Sequence, residues 1–280
     1  MSRPNFSESR ANDGFETVPN SSRRLLLLPL HETKMIWLIN GPRMRVEASP
    51  AGIVKVFEPL AQQSFKNIWR QVVVRGLTAG KTTLVARDGD EVKARLSITV
   101  RPVLNIPTAF HFVGDSTSAD HRTGVSSRAG KRQPGDVDSL IQTLNDIFVP
   151  QAAIRFQKMY WRYVTVNGNI GDSVVVSSSP VAGDLWSRIT SLGERSARFN
   201  VFFVRDMDVN GLAGNQGGAT AIGGNDCIIE DSEDGVSLAH EAGHALGLLD
   251  SSTRKNRLMY SITGQRGQFI SRVEADRINS

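Results

Sequence analysis

From Leu25 to Val100 apolar and polar side chains alternate over short runs separated by turn residues: KMIWLIN, MRVEA, GIVKVFE, WRQVVVRG, TTLVARDG and EVKARLSITV. A period of two sends successive side chains to opposite faces of a pleated strand, so each run reads as a strand with one buried face. Closely spaced short strands of this kind predict a small all-β sandwich over residues 25–104. Residues 1–24 are rich in Ser, Asn, Arg and Glu, lack an apolar period and read as a flexible tail.

After Pro102 the pattern changes. AFHFVGD reads as a strand, and GDVDSLIQTLNDIF as an amphipathic helix with Leu140, Ile141, Leu144 and Ile147 on one face and Pro150 as its stop. AAIRFQKMYWRYVTV and RFNVFFVRD read as further strands, and the glycine-rich VNGLAGNQGGATAIGGNDCIIED ends in a short apolar strand around Cys227. SLAHEAGHALGLLD and FISRVEADRINS read as helices. Residues 105–280 are therefore expected to form a second domain, which makes the chain α+β.

Composition adds mostly exclusions. The 280 residues are 40% hydrophobic and 22% charged, globular values that suit two domains. The net charge of +5 comes from 33 basic and 28 acidic residues mixed along the chain. The densest basic stretch, His121 to Gly135, has neither interleaved aromatics nor a helical period, so it reads as a solvated loop and nucleic acid is not an expected partner. The single Cys227 excludes an internal disulfide and a zinc ribbon of paired cysteines, and its apolar setting reads as a buried structural thiol. The four-leucine run before Pro29 is too short for a signal-peptide core or a membrane span, so any export is expected to be signal-peptide-independent. GLTAGKTT, Gly76 to Thr83, imitates a phosphate-binding loop, but it has three residues between its glycines instead of four and leads into β-branched sequence; it reads as a hairpin turn.

The chemistry concentrates in HEAGHALGLLD. Residues four apart on a helix share a face, so His240 and His244 can offer ring nitrogens to one ion. Glu241 then lies beside that ion, where it can take a proton from a water the ion polarises. Gly247 allows the sharp exit that a positive φ provides, and Asp250 can swing back as a third ligand. Three ligands and one open position are what catalytic zinc requires. His31 and His111 sit in strand contexts and His121 in a loop, all without metal spacing.

The full pattern H-E-x-x-H-x-x-G-x-x-D resembles that of the metzincins, zinc endopeptidases in which a methionine-containing turn lies beneath the metal. Met259, in RLMYS, fits that turn. The resemblance spans roughly residues 105–280 and implies a mixed sheet, an antiparallel edge strand above the cleft, an active-site helix, the methionine turn and a C-terminal helix. It also implies one catalytic Zn2+ on His240, His244 and Asp250, Glu241 as general base, and a protein or peptide substrate. Most members carry a third histidine where this chain has Asp250; the aspartate form is that of snapalysin-like enzymes. Tyr260, directly after the methionine as in matrix metalloproteinases, is a candidate for the substrate pocket. In gluzincins the third ligand is a glutamate on a later helix, which would select Glu274, with Asp276 near it, and leave Gly247 and Met259 unexplained.

The run Val72 to Val100 resembles bacterial immunoglobulin-like domains, with their G-L-x-A-G turn and a last strand ending in V-T-V. Together the two resemblances suggest, by analogy, a secreted bacterial effector or toxin whose partners include a secretion apparatus or an inhibitor protein. Two other readings stay open: a metal-dependent amidase acting on cell-wall peptides, and a catalytically silent binding module.

Overall fold

The computed structural model describes residues 4–8, 14–18, 21, 23–41, 43–57, 69–116, 132–168, 170, 174–176, 184–209, 217–251, 254–262 and 265–279. The fold is mixed α and β and divides into two compact units. One comprises Met1–Leu104, Ile147–Ile154 and Ile270–Ser280, the other Asn105–Asp146 and Arg155–Phe269.

The strands of the first unit are β1 (Asn5–Glu8), β2 (Phe15–Thr17), β3 (Arg24–Pro29), β4 (Thr33–Ile39), β5 (Arg45–Ser49), β6 (Val54–Phe57), β7 (Trp69–Gly76), β8 (Gly80–Asp88) and β9 (Glu91–Arg101). They form one sheet in the order β1-β4-β7-β6 and another in the order β2-β3-β9-β8-β5. Alternation decides which side chains turn inward. Ile36 and Leu38 of β4, Val72 and Val74 of β7, and Leu96, Ile98 and Val100 of β9 meet in one core shared by both sheets. β3 is an unbroken apolar run because it is covered on both faces and pairs with β9 in parallel.

Two expectations change here. Asn5–Glu8 and Phe15–Thr17, read from sequence as part of a flexible tail, are strands: each inserts one phenylalanine, Phe6 or Phe15, into that shared core. The segment Gly76 to Gly80 is a turn but not a hairpin, since β7 and β8 belong to different sheets. The backbone N–H groups of Leu77 and Thr78 donate to the Ile53 carbonyl as the chain crosses over.

Along the chain follow β10 (Leu104–Asp115), α1 (Val137–Ala152), β11 (Ile154–Val166), β12 (Val174–Val176), α2 (Leu185–Thr190), β13 (Phe199–Val204), β14 (Met207–Val209), β15 (Gly218–Thr220), β16 (Asp226–Glu230) and α3 (Gly235–Ala245), which lie in the second unit except for the end of α1 from Ile147 and the first residues of β10 and β11. Their main sheet has the order β11-β10-β13-β16-β15, and β12 pairs with β14. β13 lies between β10 and β16, parallel to both, and every residue of FNVFFV is buried, as a two-faced central strand requires. β15 is the antiparallel edge. The basic loop and His121 fall outside the described residues, as does part of the glycine-rich stretch ahead of β15.

Pro150 does not stop α1, which runs on to Ala152. Proline forfeits its own N–H bond, but the turn is held by the Ala153 N–H bond to the Val149 carbonyl; the helix ends where Ala153 takes a left-handed φ of 54°. α4 (Arg272–Ile278) closes the chain, with Ser271 and Glu274 forming a reciprocal capping box. Arg101 donates to the carbonyls of Ala275 and Asn279, and Ile270 N–H donates to Gln151 Oε1. These bonds are internal to the first unit, which takes in Ile147–Ile154 and Ile270–Ser280, pieces that the sequence reading assigns to the following domain. Among the described residues no helix is long and apolar enough to cross a membrane.

If the N-terminal strands belong to the core, Phe6→Ala, at a side chain with 0% exposure, should destabilise the first unit by about 3–5 kcal/mol. A urea-unfolding midpoint unchanged from the wild type would contradict this.

Candidate metal centre

α3 begins where Asp234, in extended conformation, accepts hydrogen bonds from the backbone N–H groups of Val236 and Ser237. The helix packs against β15 and β16. Its apolar stretch Leu238 to Gly243 is buried, carrying His240 and Glu241 inside with it. His240 and His244, one turn apart, cross edge to face with ring centroids 4.7 Å apart.

Both rings are oriented by backbone carbonyls. His240 Nδ1–H donates to the Leu258 carbonyl and His244 Nδ1–H to the Leu248 carbonyl, each at 2.9 Å. A neutral imidazole with its proton on Nδ1 presents a lone pair at Nε2. The two Nε2 atoms are 3.1 Å apart, and Asp250 Oδ1 lies 3.3 Å from one and 3.6 Å from the other. With both rings in that neutral form, three electron-pair donors converge on one point. Ligands at about 2.0–2.1 Å in tetrahedral array stand about 3.3 Å from one another, so the three edges suit a zinc-sized cation. Burial, followed by the Arg266 charge, lowers the His240 pKa to about 3, which keeps that ring in the neutral form a metal needs. Among the described residues no other group of three His, Cys, Asp or Glu side chains converges in this way.

The third ligand reaches the site through a helix stop. Gly247 has a φ of 91°; its N–H bonds to the His244 carbonyl and the Leu248 N–H to the Gly243 carbonyl, the paired bonds of a Schellman turn. Beyond Asp250 the chain is tied to the methionine turn: Ser251 N–H donates to the Met259 carbonyl at 2.6 Å, and Ser251 bridges Tyr260. Met259 is buried directly against α3, where a Cβ on Gly243 would overlap its Sδ. Tyr260 is buried as well. Gly243 is a site residue that sequence reading passes over, because a glycine within a helix shows only as a loss of propensity.

Glu241 is 4% exposed, and its Oε2 has no hydrogen-bond partner among the described residues. Burial raises its pKa, opposed by His244, by the Thr220 hydroxyl and by the Arg266 charge. The edge strand β15 passes close over it: a Cβ at Gly218 would stand 2.9 Å from Glu241 Cγ. Arg266, another residue without a sequence signal, is half-buried, and its Nε donates to the Tyr260 carbonyl at 3.0 Å.

The remaining candidates lie elsewhere. Glu274 accepts from Ser271 in the capping box of α4, within the first unit. Cys227 is fully buried on β16, where burial pushes its thiol pKa well up. His111, on β10, takes a hydrogen bond from Arg162 at Nδ1 and is bonded through Nε2 to Asn200 Oδ1. His31 occupies the exposed turn after β3.

No protein-family model matches the chain, and no curated protein matches its sequence. Among solved structures it is similar to archaemetzincin from Methanopyrus kandleri, at 11% identity over 63% of this chain and 93% of that one, with a TM-score of 0.40. It is also similar to archaemetzincin from Archaeoglobus fulgidus complexed with malonate, at 13% identity over 62% and 99%, TM-score 0.38. A zinc-dependent peptidase from Methanocorpusculum labreanum follows at 11% identity over 62% and 100%, TM-score 0.34. At these values the likenesses assign no activity to this chain, and the bearing on function comes from the residues of the site.

Elemental analysis of the purified protein should find one zinc per chain, lost in Asp250→Ala and retained in Glu274→Ala; the reverse pattern would transfer the ligand role to Glu274. Gly243→Val, which forces a side chain into Met259, should lower the thermal midpoint or the zinc content, and a variant equal to the wild type in both would show that the contact has slack.

Proposed function

We propose that the chain is a zinc-dependent endopeptidase of metzincin type, with His240, His244 and Asp250 holding the ion. The observation that carries this reading is the convergence of two Nε2 atoms and a carboxylate oxygen next to Glu241, a buried carboxylate whose Oε2 has no hydrogen-bond partner among the described residues. Bound there, zinc would polarise the scissile carbonyl and make water a nucleophile near neutral pH. Glu241 takes the proton from the attacking water as the C–O bond forms, then delivers it to the amide nitrogen as the C–N bond breaks. Its unpartnered Oε2 is the acceptor available for that proton. The extended substrate pairs with the edge strand β15, whose Gly218 keeps the backbone close above Glu241. Gly247 and Met259 support the metzincin subtype, the first by making the turn that returns Asp250 and the second by its place under α3.

The two-sheet first unit is proposed as an immunoglobulin-like module on the strength of the Val72–Val100 run. Its use for docking or delivery, and export of the chain as an effector, rest on analogy with secreted enzymes of similar build.

Glu241→Gln should keep zinc content and fold while cleavage of casein falls below detection, since the amide can neither accept nor return the proton. Cleavage at the wild-type rate in that variant would remove Glu241 from the mechanism. A wild-type protein that hydrolyses cell-wall peptides but not casein would favour the amidase reading.

A further inference from the structure

One long strand stands at the margin of the main sheet of the second unit. β11 has 13 residues, and among the described residues it pairs with β10 alone. Its start is closed off by α1: Asn145 Nδ2 donates to the Phe156 carbonyl, and Phe156 N–H donates to Asn145 Oδ1, as the backbone of a neighbouring strand would do. Beyond Phe156 the side chains turn outward. Met159, Trp161 and Tyr163, alternate residues on one face, are 41%, 43% and 38% exposed, and the rings of Trp161 and Tyr163 both rest on Phe112 of β10. Natural sheets blunt such margins with proline, short strands or a covering segment. The run KMYWRYV, Lys158 to Val164, contains neither proline nor glycine and is rich in aromatic residues.

The opposite face carries Lys158, Tyr160 and Arg162. Arg162 donates through Nε to His111 Nδ1 and through Nη2 to the Leu192 carbonyl, and its guanidinium lies 5.6 Å from the centre of the Tyr160 ring. The Tyr160 hydroxyl donates to Glu194 Oε2 at 2.7 Å.

This sequence matches itself. Two copies of a strand that pair across a two-fold axis run antiparallel, and because paired residues share a face while neighbours alternate, the axis must pass through a residue. Axes at Tyr160, Trp161 and Arg162 each bring Met159, Trp161 and Tyr163 together into the joint. An axis at Tyr160 sets Lys158 against Arg162 of the second copy, and one at Arg162 sets that cation against itself; like charges directly opposite destabilise a pair. An axis at Trp161 sets Trp161 against itself, Met159 against Tyr163, Arg162 against Tyr160 and Lys158 against Val164. Ring then meets ring, sulfur meets ring and cation meets ring, with the Glu194 carboxylate on the Tyr160 hydroxyl as an anion for the arriving arginine. The joint also ends short of Phe156, whose backbone groups Asn145 already holds. A strand from a different protein has no reason to match the spacing of these charges, whereas a second copy does so in one register.

We propose that β11 is the contact of a symmetric homodimer, in which two copies pair antiparallel about an axis through Trp161 and their main sheets become continuous. The proposal stands on the sheet margin and is independent of the peptidase reading.

Sedimentation at about 50 µM should give wild type twice the mass of one chain and Trp161→Lys the mass of one, with an unchanged circular dichroism spectrum, since the substitution is at an exposed position and puts two cations on the axis. Thiol cross-linking reads the register, and the native Cys227 does not interfere because it is fully buried. Under mild oxidation Met159→Cys and Tyr163→Cys, mixed and left to exchange subunits, should form the mixed disulfide, while neither should link to itself. A monomeric wild type overturns the proposal and leaves the margin of β11 for an extended segment of another protein. A dimer that persists in Trp161→Lys, or Met159→Cys that links to itself, overturns it as well. If Trp161→Lys does not fold, the cysteine pair alone decides.

Discussion

The candidate centre depends on where two protons sit. An imidazole with its hydrogen on Nε2 could bond to the neighbouring ring, and the pair would then be a satisfied core contact with no need of an ion. That outcome is withheld because the carbonyls of Leu258 and Leu248 each claim an Nδ1–H at 2.9 Å. With both hydrogens drawn outward, two lone pairs and a carboxylate oxygen are left facing one another inside the protein. Electron pairs held 3.1–3.6 Å apart repel unless a cation stands among them. The arrangement therefore suits a cation, and it is set by backbone, not only by side chains.

Those two carbonyls come from the chain that follows α3, which explains why helix termination and metal binding are one problem here. Gly247 turns the chain so that Leu248 returns beneath His244, and the stretch ending in Met259 returns beneath His240. Gly243 lets that stretch rise into contact with the helix. Asp250 arrives between the two returns with its side chain 54% exposed, in contrast to the buried histidines. With two inner members and one at the surface, such a set would leave a bound ion accessible from the solvent side, as a catalytic site needs and a closed structural site lacks.

How much of this could be read from the amino acids follows from the range over which each signal acts. His240, Glu241 and His244 lie within one helical turn, where spacing alone brings them together. Gly247 was legible because a positive φ selects glycine almost by itself. Gly243, Gly218 and Arg266 were not, since each matters through a neighbour distant in sequence: Met259, Glu241 and Tyr260 respectively. The same limit applies to the fold. Alternation over seven to eleven residues announces β4 and β9, whereas β1 and β2 each contribute one buried phenylalanine and acquire their strand character only from the partners that pair with them. Pro150 misled for a related reason: it forfeits one helix bond, yet the chain stays helical past it because Ala153 N–H still reaches the Val149 carbonyl.

Glu241 ties the electrostatics of the site together. Burial alone favours its neutral form, which could not accept a proton. The groups that oppose burial are His244, one of the residues suited to hold a metal, Thr220 on β15 through its hydroxyl, and Arg266, bonded to the Tyr260 carbonyl. A divalent cation between the histidines would pull in the same direction. A carboxylate balanced in this way can be ionised when it takes the proton and still yield it to an amine a step later, which a freely solvated glutamate, far weaker as a base near neutral pH, would do poorly. For the role proposed for Glu241, depth of burial and nearby positive charge are thus complementary, and β15 comes close over it through a glycine because a Cβ at Gly218 would stand 2.9 Å from its Cγ.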